Sequence, residues 1–346
     1  MTILSVLHGI FGMVVLLGIA FLFSNNKRRV NWRLVGMGLL IQITFGILVI
    51  KGQELGAIFA PLAWPKKLFE WIAEGFVLIL GFTTEGAKFV FGNLAIGQGF
   101  EGSLGFFFAF QVLPTIIFFS SLMSVMYYLG VMQKVVQGMA WVMARLMGTS
   151  GAESLSNTAN IFVGQTEAPL MIRPYIANMT QSELLTIMVG GMATIAGGVM
   201  AAYVQMLGYS FAQTHHLAIE VAQVKFAAQL LGASIMAAPA GLLVSKIIFP
   251  ETGDPETKGT VRVHVEKTSS NVIEAAAGGA SDGLQLALNV GAMLLAFIAL
   301  ISLFNTLLGA LGNWVGINPY LQSTFGQSLS LQLILGFILQ FVAYAI

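Results

Sequence analysis

The chain has 346 residues, of which 57% are hydrophobic and 9% are charged, and its formal net charge is +1. An ordinary soluble domain carries about 25% charged residues, so this composition excludes a water-soluble globule and indicates that the bilayer is the solvent. The near-neutral charge argues against a nucleic-acid partner, and the absence of cysteine excludes disulfides, thiolate catalysis and cysteine-bound metals.

Several apolar segments reach the roughly 17 to 25 residues that a helix needs to cross a bilayer. They lie near residues 2–24, 34–50, 104–131, 184–207, 225–249 and 284–311. The alternation typical of an outer-membrane barrel is absent, so backbone hydrogen bonds must be satisfied within helices. We therefore predict an all-α polytopic membrane protein. The first segment lacks a preceding basic stretch, so we expect it to be retained rather than removed as a secretory signal.

The loop between the first two apolar segments, NNKRRVNWR, carries four basic residues and no acid. Short loops with this bias usually stay in the cytoplasm, so we expect the amino terminus to lie outside. Counting crossings forward places Lys134 and Arg145 inside, His215 and His216 outside, and Lys246 to Lys267 inside again.

Two further segments, 67–88 and 133–147, mix charges with aromatic residues at helical spacing. We interpret both as interfacial helices. The hydrophilic stretch 250–270 is predicted to be a solvated cytoplasmic loop. The histidines are interpreted as loop or interfacial residues, because the adjacent His215 and His216 would not share one helix face on which to bind a metal.

Residues 149–177 are too polar for a lipid-facing helix and too apolar for an ordinary loop. Gly164 and Pro169 bracket a polar triplet, so we expect the helix to break there between two short arms of a re-entrant hairpin. The triplet is Gln165, Thr166 and Glu167. Irregular backbone survives at membrane depth only when it is buried in protein or lines a wet cavity, which makes this tip a candidate binding site.

Glu167 is the most informative acid of the chain, because ionisable residues at membrane depth are costly and usually functional. Gln165 and Thr166 supply donors and acceptors beside it, so the triplet can bind a planar, uncharged solute such as a nucleobase, directly or through water. The alternative is that Glu167 pairs with a basic residue such as Arg173 at a membrane interface.

Asn160 precedes the break, and Thr194 lies in GGMATIAGG, where small residues let a neighbouring helix approach the tip. Side-chain amides, hydroxyls and unwound carbonyls are the hard oxygens that sodium binds. The residues alone leave this pairing open, since an isolated asparagine in a membrane helix more often makes a packing hydrogen bond.

The polar tip favours a carrier of a small polar solute, and three other kinds of function compete with this interpretation. A channel needs a continuous polar lining, whereas the polar residues here concentrate at one tip. An intramembrane enzyme needs a nucleophile with a base, or a metal cluster, and no such arrangement is placed at membrane depth, so we expect no enzyme. A purely structural membrane subunit would not need the polar triplet.

Four motifs carry a resemblance to a known family: ANIFVGQTEAPL at 159–170, MTQSEL at 179–184, ATIAGGV at 193–199 and AAAGGASDGLQLALNVGAML at 275–294. From the first span to about Gly312, the chain resembles the bacterial concentrative nucleoside transporters. The resemblance implies a homotrimer in the inner membrane that carries a uridine-like nucleoside with sodium as the coupling ion and no organic cofactor. It also implies elevator-type alternating access. A proton-coupled carrier is the alternative.

The resemblance also implies roles for individual residues. Gln165, Thr166 and Glu167 would contact the base, with Gly164 at the tip and Val199 packed nearby. Sodium would be held by the Asn160 side chain, the Val163 carbonyl, the Thr194 hydroxyl and the Ile195 carbonyl. The presence of both side-chain ligands favours sodium over proton coupling.

The carboxyl end departs from the family pattern. Gln340 stands where relatives have the glutamate that binds the ribose hydroxyls, and a neutral acceptor is roughly half as strong as a charged one. The stretch before it is short for a second hairpin, and we expect that family segments are omitted here and after Ile346. By role, the resemblance divides the chain into four parts. Residues 1–131 are scaffold helices with an interfacial helix, and 132–210 are an interfacial helix, the first re-entrant hairpin and a broken transmembrane helix of the transport domain. Residues 211–315 are transmembrane helices with the cytoplasmic 250–270 loop, and 316–346 are the incomplete start of the second half of the transport domain.

Overall fold

A computed structural model describes residues 3–97, 101–165, 167–259 and 269–345. Within these ranges the chain is almost entirely helical, and the sole β feature is an isolated bridge between Ser150 and Lys258. The α-helices are α1 (Ile3–Leu22), α2 (Trp32–Ile50), α3 (Gly52–Ile58), α4 (Trp64–Phe91), α5 (Leu113–Tyr128), α6 (Val131–Met147), α7 (Gly151–Ala159), α8 (Gln181–Ala193), α9 (Gly197–His215), α10 (Ile219–Ile248), α11 (Val272–Trp314), α12 (Asn318–Phe325) and α13 (Leu331–Ala345). The predicted all-α class is confirmed.

Several helical segments are long and apolar enough to cross a membrane. They are Trp32–Ile50, Ala60–Ala95, Phe108–Tyr128, Gln181–His215, Ile219–Ile248 and Val272–Trp314. One of them differs from the expectation drawn from the sequence. The segment 67–88, predicted to be interfacial, is part of Ala60–Ala95, because flanking apolar residues extend the helix to crossing length. The crossing expected at 184–207 lies within Gln181–His215 and is broken into α8 and α9, in line with the broken helix that the resemblance implies.

α6 has one buried stripe and one exposed face. Met132, Val136 and Ala140 are buried at a spacing of four residues, while Trp141 is 58% exposed. The helix ends where Gly148 adopts φ +71°, a left-handed conformation that glycine accepts without strain. Its amphipathic pattern and 17-residue length suit a surface helix, and its place at the membrane interface stays a prediction.

By its internal contacts the chain forms two compact units, one of Met1–Phe23 with Leu288–Ile346 and one of Ser24–Ala287. In the first unit, Asn318 ties the start of α12 to its surroundings. Its amide nitrogen donates to the Gly309 carbonyl at 2.9 Å, and its amide oxygen accepts from the Leu329 backbone at 2.9 Å. A side chain at Gly312 would collide with Asn318, which accounts for glycine there.

In the unit Ser24–Ala287, α10 packs against α2, α4, α8 and α9. A core cluster that includes Phe69, Phe119 and Leu231 joins this group to α5. The first turns of α11 lie directly against α5, because a Cβ at Gly279 or Gly283 would lie within 3 Å of α5 atoms. The small residues of GGASDG therefore bring two helix backbones together beside the candidate site.

Candidate functional site

Residues 150–178 form a hairpin with two unlike arms. The first arm, α7, begins at a capping box, in which the Ser150 hydroxyl accepts from the Glu153 backbone and the Glu153 carboxylate accepts from the Ser150 backbone. α7 ends at Ala159 with Asn160 as its C-cap residue, and the second arm is the 3-10 helix Ala168–Asn178. An interruption of the expected kind thus separates the arms.

The second arm is not a regular α-helix because of its prolines. Pro169 stands at its start and Pro174 lies within it, and neither has a backbone N–H to donate. The chain turns at Gly164, whose carbonyl accepts from the backbones of Glu167 and Ala168 at 3.1 and 3.0 Å. Thr166, a predicted base contact, lies outside the described residues.

A second interruption separates α8 from α9 and contacts the hairpin. Thr194 has an extended backbone (φ −110°, ψ 162°), and α9 begins at Gly197. The Gly197 backbone donates to the Phe162 carbonyl at 2.9 Å. A Cβ on Gly197 would lie 2.7 Å from that carbonyl oxygen, so only glycine allows the two unwound segments to meet this closely.

A cavity of about 830 Å³ opens where these interruptions meet. Most of the predicted site residues line it, namely Val163, Gly164, Gln165, Glu167, Thr194, Ile195 and Val199. Asn160 is not in the lining but is buried at the end of α7. Gln340 lies on α13, in the unit formed by Met1–Phe23 and Leu288–Ile346. The volume is within the range of small-molecule sites.

Glu167 holds the backbone of the hairpin tip. Its carboxylate oxygen Oε2 accepts from the Gly164 backbone at 3.1 Å. Arg173 also lines the cavity, but the described residues show no ion pair between it and Glu167. The charge of Glu167 is thus available to a ligand, and the interfacial pairing considered from the sequence is not seen.

Asn160 is a buried amide without hydrogen-bond partners. It is 1% exposed, and neither its oxygen nor its nitrogen has a partner among the described residues. Buried polar groups are normally paired, so this amide is suited to a ligand that supplies the missing contact. The end of α7 also carries the partial negative charge of a helix C-terminus, which favours a cation.

Thr194 can contribute a further oxygen. Its hydroxyl donates to the Gly190 carbonyl at 2.9 Å, which leaves the oxygen lone pairs free to accept or coordinate. Together with Asn160 and unwound carbonyls nearby, this is the donor set of a hard monovalent cation, and the described residues hold no cluster of histidine and acid that would bind a transition metal.

The sequence reasoning missed one wall of the cavity. Ser120, Ser124 and Tyr127 of α5 line it, as do Gly279, Asp282 and Leu286 of α11. The last three recur at helical spacing on one face, but nothing local to that segment shows which face meets the hairpin. The charge of Asp282 within an apolar helix is the one signal that could have drawn attention to it.

Models of known families match three parts of the chain. The model described as Na+ dependent nucleoside transporter N-terminus matches residues 11–94, the one described as Nucleoside recognition matches 109–210, and the one described as Na+ dependent nucleoside transporter C-terminus matches 229–346.

Individual relatives agree with these matches. An uncharacterized transporter of Haemophilus influenzae is 47% identical over 324 residues, covering 93% of this chain and 70% of the relative. The nucleoside permease NupC of Helicobacter pylori is 41% identical, over 88% of this chain and 66% of its own length. Rat sodium/nucleoside cotransporter 1 is 40% identical, over 96% of this chain and 45% of its own.

Solved structures of a further relative show the same fold. CNTnw in an inward-facing substrate-bound state aligns with a TM-score of 0.78 at 39% identity, covering 98% of this chain and 72% of the other. A variant of CNTnw in an outward-facing state aligns with a TM-score of 0.81 at 39% identity, covering 99% and 74%.

Proposed function

The chain belongs to the concentrative nucleoside transporter family, and we propose that it performs sodium-coupled symport of a uridine-like nucleoside through the cavity at the hairpin tip. The family and its relatives are transporters rather than enzymes. One observation carries the assignment of the site: the buried, unpartnered amide of Asn160 ends a helix where two unwound segments meet beside a cavity of nucleoside size.

We propose that the hairpin tip binds the base. Gln165 offers both a donor and an acceptor to the base edge, and the Glu167 carboxylate accepts from an N–H of the base while it holds Gly164. Val199 lines the same cavity and supplies an apolar contact. Thr166 completes this set by its place in the sequence. A role for Gln340 as a neutral and therefore weaker acceptor for the ribose hydroxyls stays a prediction from the resemblance.

Sodium is proposed to bind between the two interruptions. The Asn160 amide oxygen, the Thr194 hydroxyl and the carbonyls of Val163 and Ile195 would hold it. Two ion ligands, Asn160 and Val163, and the base contacts that follow them then lie on one short stretch of chain that ends at Glu167. Ordering this stretch around the ion lowers the entropic cost of binding the nucleoside, and this sharing gives coupling. An amide cannot titrate, which favours sodium over a proton.

The proposal also covers assembly, mechanism and orientation. The protein would form a homotrimer in the bacterial inner membrane and work by elevator-type alternating access, and its amino terminus would be periplasmic. Three segments predicted to be cytoplasmic support one common side. The Asn25 backbone donates to the Ile248 carbonyl at 2.8 Å, and Ser150 bridges to Lys258, so the basic loop, the base of the hairpin and the 250–258 segment lie at one end. The division of the chain into scaffold and transport parts remains a prediction.

Equilibrium binding of uridine to the purified protein tests the proposal. Binding is measured in sodium and then with sodium replaced by choline at equal ionic strength. We expect binding that requires sodium. Equal binding in both solutions would contradict the coupling, and no binding in either would contradict the site as described.

A further inference from the structure

A buried polar cluster lies at the far ends of the two helices that lead to the proposed ion site. α8 begins, like α7, with a capping box, formed by Thr180 and Glu183. The two boxes interlock, because the hydroxyl of Ser150, which caps α7, donates to the Glu183 carboxylate. Glu153 and Glu183 are each 1% exposed. The starts of both helices are therefore held by shared hydrogen bonds.

Lys246, in the last turn of α10, closes this cluster. Its ammonium lies 2.7 Å from the Glu153 carboxylate and 3.1 Å from the Glu251 carboxylate, and it donates to the Ser182 hydroxyl at 2.9 Å. Lys246 itself is 4% exposed. Burial alone would raise the pKa of Glu251, but the Lys246 ammonium and hydrogen bonds outweigh burial and lower it. Lys246 thus favours the charged form of Glu251.

The loop after α10 adds a second tie. The Gly151 backbone donates to the Thr257 carbonyl at 2.9 Å, and the Ala152 backbone donates to the Thr257 hydroxyl at 3.0 Å. Both N–H groups lie in the first turn of α7, where backbone donors have no acceptor within the helix. α10 and its following loop therefore fix the start of α7 in position.

A displacement at the cluster would be transmitted to the ion ligands. α7 has nine residues, so Asn160 lies about 14 Å from the cluster along a single short helix. Asn157 locks α7 to α8, since its amide donates to the carbonyls of Glu153 and Thr186 at 2.9 and 3.3 Å. Gly190 packs so closely on Asn157 that a Cβ there would collide with it. The two helices are thus packed closely and hydrogen-bonded to each other.

We propose that Lys246 is a positioning residue for the ion site, acting through the Glu153 ion pair to hold the helices that carry Asn160 and Thr194. This inference rests on the proposed sodium site. In that proposed site, Lys246 contacts neither the sodium ion nor the nucleoside. Removal of the ammonium leaves a buried carboxylate unpaired and frees the start of α7.

The test titrates sodium against uridine binding for purified Lys246→Met and Lys246→Arg. We expect Lys246→Met to raise the half-saturating sodium concentration on the order of threefold to thirtyfold, the range typical of residues that act on a site through packed elements. Uridine affinity at saturating sodium should stay close to the wild-type value, because saturating ion restores the bound arrangement. Lys246→Arg keeps the charge and should stay near the wild type.

Two further variants keep the outcome interpretable. Lys246→Met combined with Glu153→Gln removes both charges of the buried ion pair, so it should fold even where the single variant does not, and its sodium requirement should still be raised. Lys258→Met is the matched control, because that lysine is exposed and pairs only distantly with Asp254 at 3.8 Å. A merely structural role would reduce the amount of folded protein and leave the half-saturation of the folded fraction unchanged.

Wild-type sodium dependence in the folded double variant would overturn the inference. A parallel loss of sodium and uridine affinity would also overturn it. Asn160→Ala separates this inference from the proposed function. If that substitution leaves sodium dependence unchanged, the ion site itself is wrong, whereas an effect of Asn160→Ala without one of Lys246→Met removes only the positioning role.

Discussion

At the scale of single residues, the proposed site contains a buried amide whose lack of hydrogen-bond partners costs folding free energy unless a ligand is bound. A buried amide without partners costs about 1 to 3 kcal/mol, and Asn160 has both of its polar atoms in this condition. The low dielectric of the interior increases that cost and also strengthens the attraction between the amide oxygen and a cation. Sodium binding at this residue would therefore stabilise the folded protein.

Replacing Asn160 tests this reasoning. Asn160→Ala removes a ligand, so we expect the half-saturating sodium concentration for uridine uptake into proteoliposomes to rise on the order of tenfold or more. Sodium should also raise the melting temperature of the variant less than that of the wild type. Asn178→Ala, an exposed asparagine of the second arm, is the control. An unchanged sodium requirement would refute the assignment.

Replacing the acid and hydroxyl of the tip tests the base contacts. Glu167→Gln weakens a charge-assisted hydrogen bond of about 1.5 to 3 kcal/mol, so uridine affinity should fall on the order of tenfold to a hundredfold. Thr166→Ala is expected to weaken binding greatly as well. Calorimetry on the purified variants measures both, with Glu220→Gln on the exposed start of α10 as control. Wild-type affinity in both tip variants would show that the base binds elsewhere.

At the scale of elements, the site depends on two helix interruptions that meet. The contact between the Gly197 backbone and the Phe162 carbonyl joins them and leaves no room for a side chain. Each interruption exposes backbone groups that only a ligand or the other segment can satisfy. Each break weakens the local helix, and it leaves backbone groups that the proposed ligands would bind.

A methyl group at this contact should separate the segments. We expect Gly197→Ala to weaken the binding of both sodium and uridine, because it pushes Phe162 away from the start of α9. Gly75→Ala within α4 is the matched control, since a Cβ there meets nothing within 4 Å and alanine favours a helix by about 0.5 to 1 kcal/mol. Equal binding by the two variants in the uridine assay would argue against the contact.

At the scale of the whole molecule, the orientation in the membrane follows from charge. Four basic residues stand between the first two apolar segments, and the 250–258 segment lies at the same end of its unit as that loop. The cytoplasmic side is expected at this end, by the bias of Lys and Arg in short loops.

The absence of cysteine makes this orientation easy to measure. Arg28→Cys should react with a membrane-impermeant maleimide only after the cells are opened, whereas Thr214→Cys, at the end of α9, should react in cells whose outer membrane alone is permeable. The cysteine-free protein is the background control. The reverse pattern of labelling would invert the proposed topology.

Much of the architecture could be predicted from local features. Apolar length predicts crossings, because each helix must satisfy its own backbone in lipid. The interfacial prediction for 67–88 was wrong because it left out the flanking apolar residues that lengthen this helix. The break at the hairpin tip is predicted by Gly164 and Pro169, since glycine and proline act on the backbone at their own positions.

The sequence by itself therefore determined the solvent of this protein, its helical class, the polar tip and, through its motifs, the family. Only the tertiary structure decided which faces meet: the Phe162 contact with Gly197, the α5 and α11 wall, and the burial of Lys246 beside Glu153. Those contacts join residues far apart in the chain, such as the Ser121 hydroxyl and the Ala276 carbonyl at 2.8 Å. Helical periodicity shows that a face exists, but its partner is chosen by packing among all the helices, which no local pattern contains.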